Sequence, residues 1–194
     1  MRYKNSLSIH EFTNEYHEHI PFFRDFVNRC RDGPSGPEGN ILIICLGEID
    51  ARCLIHKQVT EKNRSEDSVI EDLVNRYFNT LDIIFGDYCE TSRVPVWIMS
   101  VIPTSVEKDF GHEFNQRGSV QERKRYTEKL NDALRKKCEG HNYYHFFDIY
   151  DLYLDPNTGT LNQALACDDV HIGDNSPIKN KIVEDLEIYL EKYT

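Results

Sequence analysis

Two short stretches of the chain hold residue types that can move a proton or grip a polar substrate. The first is "LGEIDARCLIH", where an apolar run ends in Gly47, Glu48, Asp50, Arg52 and His56. Charged groups cost several kcal/mol to bury without partners, so this change of character marks the end of a buried element. The second is "CDDVHIGDNSP", in which Asp168 and His171 stand three apart and Gly173 follows. In a tight loop, D-x-x-H lets the carboxylate accept a hydrogen bond from one imidazole nitrogen. The other nitrogen is left to take a proton, as in an oriented general base.

The residues around the first stretch admit two readings. Arg52 either pairs with Glu48 or Asp50 to fix the strand exit, or grips substrate while one of those carboxylates orients a hydroxyl. His56 either lines a pocket or sits at the surface near a helix start. Thr104, Asn115 and Arg117 fall in a long segment, "TSVEKDFGHEFNQRG", of the kind that forms binding loops. Glu48, Asp50, His56, Asp168 and His171 are chemically able to ligate a metal, but no local spacing marks a metal motif and none is expected.

The elements that must position these residues are legible from periodicity. "ILIICL", residues 41–46, predicts a strand buried on both faces, and "VPVWIMSVIP" a second. "YYHFFDIY" predicts a third, its aromatics more simply core than sugar-stacking. Helical spacing covers "EYHEHIPFFRDFVNRC", with Pro21 in its first turn, and residues 65–88, with Ser65 as N-cap and Gly86 as stop. "SVQERKRYTEKLNDALRKKC" opens with a capping box of Ser119 and Glu122. "SPIKNKIVEDLEIYLEKY" opens with Ser176 as cap and Pro177 in its first position. "RDGPSGPEGN" is a loop, and "LDPNTGTL" is turn chemistry. Strands alternating with helices of crossover length predict a mostly parallel sheet covered on both sides, a three-layer α/β/α sandwich. In such sheets ligands bind outside the carboxyl ends of the strands, which is where Gly47, Glu48, Asp50 and Thr104 fall.

Bulk properties narrow the function. The 194 residues read as one domain, with an N-terminal helical segment and loop over 1–39 and the core over 40–194. A net charge of −10 and a pI near 5.3 disfavour nucleic acid or an anionic membrane as partner. The basic stretch "RKRYTEKLNDALRKK", Arg123 and Lys124 included, reads as the solvated face of a helix. No apolar run approaches the ~20 residues of a membrane span. Six cysteines without a C-x-x-C pair suggest free thiols in a reducing, cytoplasmic compartment.

The order "LGEID", "VIPTS" and "DDVHI" resembles the SGNH (GDSL-type) hydrolase superfamily over residues 40–190. In that family a G-x-N-D block ends one central strand and a D-x-x-H block supplies the base in the last loop. Gly47, Glu48, Ile49 and Asp50 occupy the first block, and Asp168 and His171 the second. The text looks like a variant branch with a G-E-I-D-C-R signature, linked to polysaccharide and glycan modification; Ala51 departs from it. Ile49 replaces the asparagine that helps hold an oxyanion. The nearest text to the family's glycine-aspartate-serine block is "KNSLS", which makes Ser6 the candidate nucleophile and Ser8 the weaker one. No apolar strand precedes it, so the family's first strand is unaccounted for.

The resemblance implies a carbohydrate-modifying enzyme with His171 as general base and Asp168 as its orienter. Gly47, Glu48, Asp50, Arg52, His56 and Thr104 would bind substrate. A base without a serine can still deprotonate a sugar hydroxyl, whose oxygen then attacks a methyl or acetyl donor. S-adenosylmethionine and acetyl-CoA are the candidate donors, although no glycine-rich nucleotide loop follows a first strand. The alternatives are a serine ester hydrolase and an inactive glycan-binding domain, either of them part of a longer glycan-processing chain.

Overall fold

Side chains of the three strands alternate between two apolar clusters, and that alternation builds the molecule. A computed structural model describes residues 8–14, 41–92, 96–106, 115–167 and 171–193, with residues 20, 21, 23, 25, 28 and 29 between the first two spans. Strands β1 (Leu42–Ile44), β2 (Val96–Met99) and β3 (Tyr144–Phe147) form a parallel sheet in that order, with Leu42 opposite Val96 and Val96 opposite Tyr144. The helices that accompany them include α1 (Ile9–Asn14), α2 (Ile55–Glu61), α3 (Glu66–Ser92), α4 (Val120–Glu139) and α5 (Ser176–Tyr193). Parallel neighbours need crossovers, and α3 and α4 supply them.

Leu42, Ile44, Val96, Ile98, Tyr144 and Phe146 join the cluster that includes Phe12 of α1, Ile55 of α2, Leu73 of α3 and Leu130 of α4. Ile41, Ile43, Trp97, Met99 and Phe147 turn the other way, against Ile149, Tyr153, Leu161 and the α5 residues Ile178, Ile182 and Leu186. A period of two places successive side chains on opposite faces, so each face acquires its own apolar cover. The result is the expected three-layer α/β/α arrangement. No helix among the described residues is long and apolar enough to cross a membrane. Cys45, Cys53, Cys138 and Cys167 are free thiols.

Several local expectations change. β1 is only three residues long and partly buried, because no described strand pairs with its outer edge. Gly86 does not stop α3, which runs on to Ser92. Ile84 and Phe85 continue the buried stripe, and Gly86 lacks the positive φ of a helix-ending glycine. α1 was not foreseen. Of the helix expected over residues 15–30, the described positions are helical and the others lie outside the described residues. The Ser119 capping box forms as expected: the Ser119 hydroxyl accepts from the Glu122 amide, and the Glu122 carboxylate accepts from the Ser119 amide at 2.8 Å.

Beyond β2 the backbone of Val101 finds a side-chain partner. Asn131 on α4 accepts from the Val101 amide at 2.7 Å and donates to its carbonyl at 2.9 Å. Both atoms are buried, and a single amide side chain satisfies them as a neighbouring strand would. Replacing Asn131 with Ala orphans a buried donor and a buried acceptor, so stability should fall by about 3 kcal/mol, read as a lower urea midpoint at unchanged slope.

Candidate active site

The carboxyl ends of the strands gather most of the polar residues singled out from sequence, and each is held by identifiable contacts. Gly47 leaves β1 with φ +111°, and a Cβ there would sit 2.7 Å from the Val101 side chain and 3.3 Å from that of Ile9. Only glycine meets both the backbone angle and the close approach of β2 and α1. Glu48 and Ile49 then begin a helical turn, not the loop expected of GEID, and Asp50–Leu54 widens into a π-turn before α2.

Asp50 is fully buried. Its carboxylate accepts from the Ile9 amide at 2.6 Å and the His10 amide at 3.2 Å, the first donors of α1. Asp50 therefore anchors α1 to the exit of β1, and the expectation that it orients a substrate hydroxyl gives way: both oxygens face backbone amides. Burial raises its pKa to about 6, while the Ile9 and His10 amides pull it down. Ser8 caps the same helix, its hydroxyl accepting from the Glu11 amide at 3.0 Å and donating to the Glu11 carboxylate at 3.2 Å. With Ser8 wholly buried in that capping box, it is not available as a nucleophile. Ser6 lies outside the described residues.

Arg52 follows the structural of its two readings. Its guanidinium meets the Glu48 carboxylate in a two-pronged pair at 2.7 and 3.2 Å, with Arg52 itself buried. Its carbonyl accepts from the Arg117 amide at 3.0 Å, and Arg117 pairs with Glu61. His56 packs against Gly118, where a Cβ would come within 2.6 Å of the ring. The ring lies 3.3 Å from the Tyr126 hydroxyl and 3.9 Å from the Glu122 carboxylate.

Thr104 is held from two directions. Its carbonyl accepts from the Leu161 amide at 2.8 Å, and its hydroxyl accepts from Arg123 Nε at 3.3 Å. Arg123 is wholly buried, contrary to the solvated helix face expected for the basic stretch. It also donates to the carbonyls of Gly118 at 2.6 Å and Ser105 at 3.4 Å. Sequence reasoning missed Arg123 because it sits among surface cations. The available signal was its place one turn after the Ser119 cap, four residues before the buried Thr127.

His171 lies beyond β3, between the short helical turn Gln163–Leu165 and α5. The Cys167 amide donates to the His171 carbonyl at 3.0 Å, while Ala166 and Ile172 form an antiparallel bridge. Leu165 accepts from the amides of Gly173 and Asp174, and the Tyr153 hydroxyl donates to the Asp174 carbonyl at 2.8 Å. Gly173 allows this closure, since a Cβ there would fall 2.6 Å from the Cys167 nitrogen. The His171 residue is exposed on this pinned turn, and Asp168 lies outside the described residues. The Thr104–Leu161 bond ties the same excursion to the exit of β2. Among the described residues, no three His, Cys, Asp or Glu side chains gather to hold a metal. A groove of about 550 Å³ between α3 and α4, lined by residues such as Asp67, Glu71, Lys129 and Lys136, contains none of the site residues.

No family model and no curated protein matches the chain. Among solved structures, similarity extends to a candidate platelet activating factor from Streptococcus pneumonia: 13% identity, TM-score 0.49, covering 94% of this chain and 97% of that one. A candidate acylhydrolase from Bacteroides fragilis is similar at 16% identity and TM-score 0.49, over 92% of this chain and 84% of that one. A GDSL-like lipase from Bacteroides thetaiotaomicron is similar at 13% identity and TM-score 0.46, over 94% and 85%. Residue roles do not transfer at such distances.

Asp50 has a definite pH signature. Its pKa is higher folded than unfolded, so between about pH 4 and pH 6 the folded state binds more protons and stability falls as pH rises. The rise from the ordinary carboxylate range to about 6 corresponds to about 3 kcal/mol. The stability of the wild type relative to Asp50→Asn should therefore decline by about that amount from pH 4 to pH 7, measured by urea unfolding across the range. A separate variant, Gly47→Ala, should cost about 2–4 kcal/mol through backbone strain and the clash with Val101.

Proposed function

We propose that this chain is a carbohydrate-modifying enzyme of SGNH-like design, in which His171, oriented by Asp168, removes the proton of a bound sugar hydroxyl. The freed oxygen then attacks a methyl or acetyl group offered by S-adenosylmethionine or acetyl-CoA. The observation that carries this assignment is an exposed histidine on a turn whose backbone is pinned at Cys167, Leu165 and Tyr153. A base held that firmly costs little reorganisation when it accepts a proton. Transfer is favoured over hydrolysis by two features of the opposite bank. Ile49 is buried and offers no side-chain donor to an oxyanion, and Ser8 is engaged in its helix cap. The sugar is implied by the likeness of "GEIDARC" to the glycan-modifying branch.

A second assignment has its own support. Asp50 holds the start of α1 against the exit of β1, which brings Ser8 to the GEID turn. A serine ester hydrolase using Ser6 would need its nucleophile close to that junction.

Replacing His171 with Ala should lower turnover by about 100- to 10,000-fold while the thermal midpoint stays near the wild-type value. A thermal-shift screen with S-adenosylmethionine, acetyl-CoA and nucleotide sugars identifies the donor by the rise in midpoint that binding to the native state causes. Methyl or acetyl groups appearing on the acceptor sugar support transfer, whereas fluorophosphonate labelling of Ser6 supports the esterase. Glycan binding without turnover, indifferent to His171→Ala, leaves a binding domain.

A further inference from the structure

Ile49 is buried and carries no side-chain donor, whereas the exit of β2 holds one in the Thr104 hydroxyl. The Thr104 hydroxyl accepts from Arg123 Nε, so the orientation of its oxygen is fixed, while its backbone carbonyl is tied to Leu161. A hydroxyl carries one proton of its own, and no described residue accepts that of Thr104. Accepting from a guanidinium polarises the O–H bond and strengthens it as a donor. Arg123 is itself immobilised by the carbonyls of Gly118 and Ser105 and by complete burial.

We propose that Thr104, oriented and polarised by the buried Arg123, donates a hydrogen bond to the carbonyl oxygen of an acyl donor as that oxygen gains charge. Thr104 is then the residue that touches substrate, and Arg123 is its positioning residue. The assignment rests on the carboxyl edge being the active site with His171 as base. It also narrows the donor to an ester or thioester, because methyl transfer develops no oxyanion. In the step itself, His171 takes the proton of the attacking hydroxyl, whose oxygen bonds to the acyl carbon. The C=O electron pair moves onto the carbonyl oxygen facing Thr104. Collapse restores the carbonyl and breaks the bond to the leaving sulfur or oxygen, which departs with the proton returned from His171.

The test measures nitrophenol release from p-nitrophenyl acetate and thiol release from acetyl-CoA, using the full chain. Thr104→Val should lower kcat about 30- to 100-fold and leave KM within about threefold, as expected for loss of one oxyanion donor. Thr104→Ser should recover kcat to within about threefold of the wild type. Arg123→Lys should lower kcat with an unchanged pH profile and speed hydrogen exchange at residues 116–118; if it fails to fold, the Thr104 pair still decides. Unchanged kcat in Thr104→Val, with His171→Ala inactive, overturns this assignment alone. Activity retained in His171→Ala overturns the base instead. A wild type inert toward both acyl probes that methylates a sugar from S-adenosylmethionine also overturns the role of Thr104 and leaves the base standing.

Discussion

A carboxylate sealed from water joins the beginning of the described chain to its centre. Asp50 is fully buried, and its two oxygens meet the first amides of α1, some forty residues earlier in sequence. An isolated charge in that position would be costly, and two backbone donors with the orphan amides of a helix start offset much of the cost. The pair works in both directions: α1 gains a cap, and the turn after β1 gains a partner that holds Gly47 close to Ile9 and Val101.

The opposite corner is organised by a cation. Arg123 reaches from α4 to the carbonyls of Ser105 and Gly118, while Asn131, two turns further along the same helix, completes the hydrogen bonding of Val101. One helix thus fixes the exit of β2 with two different side chains. The segment carrying His171 is held by other means, backbone bonds to Cys167 and Leu165 and the close packing of Gly173. An anion, a cation and backbone bonds thus hold three separate segments.

The layers and crossovers were legible because burial leaves a periodic trace. The alternation of Ile41, Leu42, Ile43 and Ile44, the stripe from Val69 to Leu81 and the Ser119–Glu122 box each encode their own local surroundings. The roles of Asp50 and Arg123 were not legible, because both depend on distant backbone. An aspartate after a strand is written with the same letter whether it faces a ligand or the amides of a helix forty residues away. Arg123 shares its stretch with Lys124 and Arg125, and nothing local separates the cation that turns inward. Of the proposed base, the sequence showed the spacing and the structure shows the turn that carries His171.

The π-turn over Asp50–Leu54 adds one residue to a winding that otherwise advances about 100° per residue. Five successive residues, Ile49 to Cys53, are buried there, as a widened coil surrounded by neighbours permits. Every side chain beyond it is rotated relative to those before. His56 therefore meets Gly118 and Tyr126 through a phase set separately from that which aims Asp50 at α1. Loss or gain of a single residue within this coil would re-aim His56 while Asp50 keeps its hold on α1, a degree of freedom that an ordinary helix lacks.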